Sequence, residues 1–245
     1  MEDELYDVHF HVQKHHWWFV VKERIVRDII DRCHLEGSPR DILDAGCGPG
    51  LMLEGLRGYG NVFGMDFSEK AVQYSQSKNI GDIRKGDLPF GFPFKDKKFD
   101  LILALDVIEH IEEDVESLRV LCDALKPHGK IILTVPANPF LWSKHDDVNQ
   151  HKRRYTLSEL RTKMASASLK IEKITYYNAL LFPLIFIMRT LQKMLKLDTE
   201  SDLKIPSPLV NNALKFVFHA ERLLLRCGVR FSFGVSIIAV ASRHW

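Results

Sequence analysis

The stretch Ile42-Leu43-Asp44-Ala45-Gly46-Cys47-Gly48-Pro49-Gly50 decides the fold: a short apolar run of the kind a buried strand shows enters a turn whose glycines fall at alternate positions. Glycine lets backbone approach a ligand closely, and a helix opening behind the turn offers it unpaired N–H groups. A dinucleotide-binding turn, G-x-G-x-x-G, needs its third glycine at position 51, where this chain has Leu51. Pyrophosphate is thereby disfavoured. A ligand with a carboxylate and no phosphate fits the turn as well.

Working outward, Asp66 closes the next apolar run, 20 positions after Gly46, where an acidic side chain can accept both hydroxyls of a ribose. Phe67 beside it suits the face of an adenine, and Asp87 after Gly86 suits the adenine amino group. Further strand-like runs lie at 41–45, 62–66, 99–105 and 130–137, with a weaker one around Ile83 and later ones at 169–177 and 235–242. Helical spacing separates them, in Val21, Ile25, Val26, Ile29 and Ile30, and in Val115, Leu118, Leu121, Cys122 and Leu125 before a stop at 126–129. Thr156 and Glu159 have the spacing of a capping box. Strand and helix in alternation specify an α/β fold, a doubly wound sheet covered on both faces.

Composition narrows the function. Lys and Arg number 34 against 32 Asp and Glu, so no broad cationic face for nucleic acid is expected. Cys33, Cys47, Cys122 and Cys227 form no C-x-x-C pair, and the chain begins with the acidic Met1-Glu2-Asp3-Glu4, which together suggest a reducing, cytoplasmic setting without structural zinc.

With these residues in order, the stretch 41–137 resembles the class I S-adenosylmethionine-dependent methyltransferases. The resemblance rests on the loop 44–50, Gly64-Met65-Asp66, Gly86-Asp87-Leu88-Pro89-Phe90 and Phe99-Asp100-Leu101-Ile102 leading to Asp106-Val107-Ile108-Glu109-His110. It implies a Rossmann-like seven-stranded sheet whose last strand, matching 235–242, runs antiparallel. It further implies one domain over 1–245, with a lid region at 1–36 and a helical insertion or cap at 178–233. S-adenosyl-L-methionine is then the cofactor. Within the loop that includes Asp44 and Cys47, Gly46, Gly48 and Gly50 would face its methionine part, Asp66 with Phe67 the ribose and base, Asp87 with Leu88 the adenine, and Leu105 with Asp106 the sulfonium side. His16-Trp17-Trp18-Phe19, and His145-Asp146 followed by His151-x-Arg153-Arg154-Tyr155, are similar to a bacterial branch described only as methyltransferases, which supplies no substrate.

An acceptor hydroxyl must lose a proton, so His151 or His145, following the strand at 130–137, is expected as base, with Arg153 and Arg154 holding an anionic group of the acceptor. Asp106, Glu109 and His110 resemble an acidic-histidine pattern of the ubiquinone-biosynthesis O-methyltransferases. Metal is not expected here, and Asp106 is read as a wall of the donor pocket. Trp17, Trp18 and Phe19 suit a lid over the donor, with Arg24 reaching its carboxylate, or alternatively an aromatic core; His9, His11, His15 and His16 have no partner set for a metal. The apolar run 179–188, followed by Arg189, Lys193 and Lys196, is too short to span a membrane and suits a buried cap or an interfacial helix. The expected function is methyl transfer to a small or lipid-linked acceptor, with a non-catalytic S-adenosylmethionine-binding scaffold as the alternative and a nicotinamide oxidoreductase disfavoured.

Overall fold

A computed structural model describes residues 12–33, 35, 40–195 and 205–244. His9, His11 and Lys196 lie outside them. Seven strands form one sheet: β1 (Arg40–Ala45), β2 (Gly60–Asp66), β3 (Asp82–Lys85), β4 (Phe99–Leu105), β5 (Leu125–Pro136), β6 (Leu169–Tyr177) and β7 (Ser236–Arg243). Their order is β3-β2-β1-β4-β5-β7-β6, and β7 is antiparallel to both of its neighbours. The weak run around Ile83 is a real edge strand.

Alternation along the central strands divides the core. Leu43, Ile102, Ile131 and Leu133 pack with Leu118, Leu121 and Cys122 of helix α4 (Asp114–Asp123) and with Leu160 and Met164 of α6 (Leu157–Ser166). Ile42, Leu101, Leu103 and Ile132 point the other way. They meet α1 (Trp17–Ile30), α2 (Leu51–Leu56), α3 (Glu69–Ser77) and the long α8 (Pro208–Arg226). Fully burying one such aliphatic side chain is worth roughly 1.5–3 kcal/mol, so each β1 and β4 residue secures the helix above it. Thr156 and Glu159 do form the capping box that opens α6.

A short helix α5 (Lys144–Val148) follows β5, and α7 (Phe182–Met194) and α8 stand between β6 and β7. Pro183, which interrupts the apolar run in sequence, sits in the first turn of α7 and so costs no helical hydrogen bond. Glu221 of α8 accepts from the backbone N–H groups of Ala179 and Leu180, at 2.7 and 2.9 Å, tying α8 to the entry of α7. Asn211 of α8 accepts from Trp17 N–H and donates to the His15 carbonyl, both at 2.9 Å, fixing the start of α1 against α8. His16 is the N-cap of α1, its Nδ1 accepting from Trp18 N–H.

Candidate active site

The chain runs from β1 outward to β3 on one side of the sheet and returns to build β4 and β5 on the other. β1 and β4 therefore flank the switch point at which open α/β sheets place ligands beyond their carboxyl ends. A cavity of about 1100 Å³ opens there. Its floor comes from the loops after β1, β2 and β4, its far wall from the loop after β5, and its roof from α1, α7 and α8.

The glycine turn is built by constraint. Gly46 has φ +80°, and a Cβ there would lie 2.4 Å from Val107 Cγ2. Gly48 has φ +50°, and a Cβ there would meet nothing within 4 Å, so its backbone faces open space. Asp66 accepts from Gly48 N–H at 2.8 Å through Oδ2 and from Ser68 N–H at 2.9 Å through Oδ1, which fixes its carboxylate at the cavity wall. Phe67 beside it is 52% exposed, and Asp87 is exposed at the same rim. A carboxylate, an exposed aromatic ring and a second carboxylate along one side of a glycine cradle fit a nucleoside, and the unobstructed Gly48 fits close passage of a ligand chain.

Of the residues singled out in the sequence, Asp44, Gly46, Cys47, Gly48, Asp66, Phe67, Asp87, Leu88, Leu105, Asp106, His145 and His151 all line the cavity. Gly50 does not: it is the left-handed N-cap of α2, pressed against Ser75. Arg24 does not either, because it lies on the outer side of α1 against His219 of α8, 3.0 Å away. The cation that α1 turns inward is Lys22, whose Nζ lies 2.5 Å from Asp106 Oδ2. Lys22 was legible, since it shares the helical face of Ile25, Val26 and Ile29 and is a lysine in an otherwise apolar stripe. Trp17, Trp18 and Phe19 line the cavity, and Trp18 also stacks on both Tyr177 and Phe218, which stack on each other, so the aromatic packing of the core reaches the cavity wall.

Burial and charge set the protonation states. Burial pushes Asp44 up to about 7, opposed by Lys22 and reinforced by Asp66. Burial would raise Asp106 too, but Lys22 and the Thr134 hydroxyl, which donates to Oδ1 at 2.7 Å, hold it below the usual carboxylate range. Glu109 is driven far up by burial and by the charge of Asp106, and neither of its carboxyl oxygens has a hydrogen-bond partner. Burial and the neighbouring His151 lower His110 to about 4.

The loop after β5 centres on Asp146, fully buried and quoted in the sequence motif without a role of its own. Its Oδ1 lies 2.9 Å from His151 Nδ1 and accepts from Arg154 Nε at 2.8 Å, while Oδ2 accepts from Ser143 N–H at 2.8 Å. Arg189 of α7 stands 3.7 Å from Oδ2. Burial would raise Asp146, but His151 and Arg154 hold it well below the usual range. Its signal in sequence was the five-residue step to His151.

Of the two arginines expected to hold the acceptor, Arg154 lines the cavity and Arg153 does not. Arg153 pairs with Glu112 and Asp114 away from the cavity, and Arg154 spends its guanidinium on Asp146 and the Ala137 carbonyl. Glu109, His110 and His151 each bring one ligand-type atom within 4.8 Å of the others, a donor set a divalent cation accepts, while burial favours the neutral forms of Glu109 and His110.

Residues 43–133 match the family model of the methyltransferase domain. A Mycolicibacterium smegmatis protein named "probable S-adenosylmethionine-dependent methyltransferase" is 27% identical over 161 residues, covering 64% of this chain and 60% of that protein. The ubiquinone biosynthesis O-methyltransferase of Nitrosospira multiformis is 27% identical over 145 residues, 53% of this chain and 60% of that one. A tRNA U34 carboxymethyltransferase of Nautilia profundicola is 28% identical over 123 residues, 48% and 39% of the two chains. The chain thus spans 60% of the length of the first two curated relatives. Among solved structures, phosphoethanolamine N-methyltransferase 2 of Haemonchus contortus, in complex with S-adenosyl-L-methionine, has a TM-score of 0.58 at 16% identity, over 89% of this chain and 51% of that one. At that identity the likeness is one of fold: a Rossmann-like methyltransferase sheet.

Proposed function

We propose that this chain is an S-adenosylmethionine-dependent methyltransferase acting on the hydroxyl of a small or lipid-linked acceptor. The observation that carries the reading is the single cavity that joins the glycine cradle, Asp66, Phe67 and Asp87 at one end to the Asp146–His151 pair at the other. When bound, the donor supplies an electrophilic methyl group for in-line displacement. Everything else is done by the chain. Asp66 and Asp87 hold the nucleoside, and Lys22, held by Asp106, places positive charge near the donor's carboxylate. Trp17, Trp18 and Phe19 keep water from the reacting atoms, where positioning and dryness supply most of the acceleration. Asp146 is ionised and accepts only, so it fixes the His151 proton on Nδ1 and leaves Nε2 to take the proton of the acceptor hydroxyl. His145 stands behind His151 as a second cavity histidine, its ring centroid 6.1 Å away.

The near-balanced charge favours a small molecule over nucleic acid as acceptor. The apolar face of α7 supports contact with a membrane surface, and no helix among the described residues is long and apolar enough to cross one. Mass spectrometry of soluble and membrane extracts given isotope-labelled donor tests the reading: a product heavier by the labelled methyl group, formed by the wild type and not by His151→Ala, is expected. Donor binding without any such product would leave a non-catalytic binding scaffold. Turnover is expected to survive a chelator; loss that a divalent cation restores would transfer His151, with Glu109 and His110, to a metal.

A further inference from the structure

The cavity exceeds what a donor of nucleoside size requires, since pockets of roughly 300–1,000 Å³ enclose most of a drug-sized ligand. Its surplus lies away from the glycine turn and is mainly apolar, with Arg189 and Gln192 the polar members that α7 contributes. Leu181, Leu184, Ile185 and Met188 of the α7 segment repeat at i, i+3, i+4 and i+7, one stripe of a helix, and all four line the cavity. Val210 and Leu214, one turn apart on α8, face the same space. The single cation in this part of the lining is Arg189, and it is occupied by the Leu141 carbonyl and Asp146.

Leu184, Met188 and Val210 are also 50%, 49% and 49% exposed. A side chain that lines a cavity and is half in water marks the rim of an opening, so the passage between α7 and α8 leads from the His151 end to the surface. An isolated polar acceptor gains nothing from such a wall. A ligand with an aliphatic portion buries it.

Resting on the methyltransferase reading, we propose that the acceptor is an amphiphile: its hydroxyl meets His151, and an aliphatic tail runs along Leu181, Ile185 and Leu214 and leaves the protein between Leu184, Met188 and Val210. The α7–α8 pair is then the specificity element for the tail.

The test uses the full chain saturated with S-adenosylhomocysteine and a homologous series of 4-n-alkylcatechols as probes, with binding followed by calorimetry. Affinity is expected to rise about fourfold per added methylene, from roughly 0.8 kcal/mol per buried CH₂, and to level off once the tail end reaches water beyond Met188. Leu184→Gln with Met188→Gln should flatten the rise. Met188→Trp, which narrows the opening, should weaken only the longer members. Phe216→Ser, on the outer side of α8 and 76% exposed, should leave the series unchanged. Affinity for S-adenosylhomocysteine should be the same in all variants, which shows that each is folded. Affinity independent of chain length, or a rise that persists in the double variant, or one abolished by Phe216→Ser instead, would overturn the proposal. Failure of S-adenosylhomocysteine itself to bind would strike the methyltransferase reading and is seen separately.

Discussion

Replacing Asp146 by Asn probes the part of the site most dependent on one buried charge. The carboxylate serves Ser143 N–H through Oδ2, Arg154 Nε and His151 Nδ1 through Oδ1, and the approaching Arg189. Asparagine keeps one acceptor and turns the other oxygen into a donor. Whichever way the amide is turned, an NH₂ group confronts a donor: Ser143 N–H on one side, Arg154 on the other. The charge that balanced Arg154 is lost as well, and the Arg154 side chain is only 3% exposed. Breaking a buried ion pair by removing one partner costs about 3–5 kcal/mol, and this is the expected fall in unfolding free energy by urea titration at neutral pH. Turnover should fall further than stability explains, by about 10²–10⁴, because His151 loses the partner that sets its tautomer and orientation. Affinity for S-adenosylhomocysteine should stay nearly constant. Asp147→Asn is the control, since Asp147 is exposed and accepts only from Trp142 Nε1 at 2.9 Å. If Asp146→Asn unfolds at the wild-type urea concentration and turns over at the wild-type rate, the dyad has no role.

Other outcomes follow from the same geometry. Lys22→Ala should weaken donor binding while Arg24→Ala leaves it unchanged; calorimetry giving the reverse order would put the wrong face of α1 over the cavity. His110 is held neutral by burial and by His151, with its pKa near 4 against 6.5 when unfolded, so between those values the unfolded chain binds the extra proton and stability falls as pH falls. The full loss is up to about 3 kcal/mol, and His110→Gln should remove that part of the decline in urea titrations from pH 7 to 4; equal slopes in the two proteins would contradict it. Ile187 and Leu191 are half exposed on α7, whereas Phe182 packs with Phe140, Phe186 and Phe233. Ile187→Ser with Leu191→Ser should therefore reduce co-flotation with anionic liposomes at low salt, and a wild type that never floats would remove the membrane contact.

Much of the glycine-turn end of the cavity was legible because it is local. A strand, a glycine turn and two acids at strand ends are set by residues close in sequence, and the strand-to-glycine-turn run 42–50 fixes their direction. The cap was harder to read. Pro183 looks like a break until its place in the first helical turn is known, and whether Leu184 or Ile187 faces inward depends on where α8 packs. Arg154 carried a charge that sequence assigned to the acceptor, but only the three-dimensional loop brings Asp146 to it. The β5 strand begins at Leu125, earlier than the stop at 126–129 suggested, because pairing with Phe99 of β4 overrides the local Pro and Gly signals.

The central claim is that the cavity at the β1–β4 switch point holds the donor through Asp66, and calorimetry with S-adenosylhomocysteine tests it most directly. One molecule should bind per chain, NAD should not compete, and Asp66→Ala should weaken binding about 10- to 150-fold, the loss expected for charged hydrogen bonds worth about 1.5–3 kcal/mol. No heat of binding from the wild type, or an affinity unchanged by Asp66→Ala, would contradict the assignment.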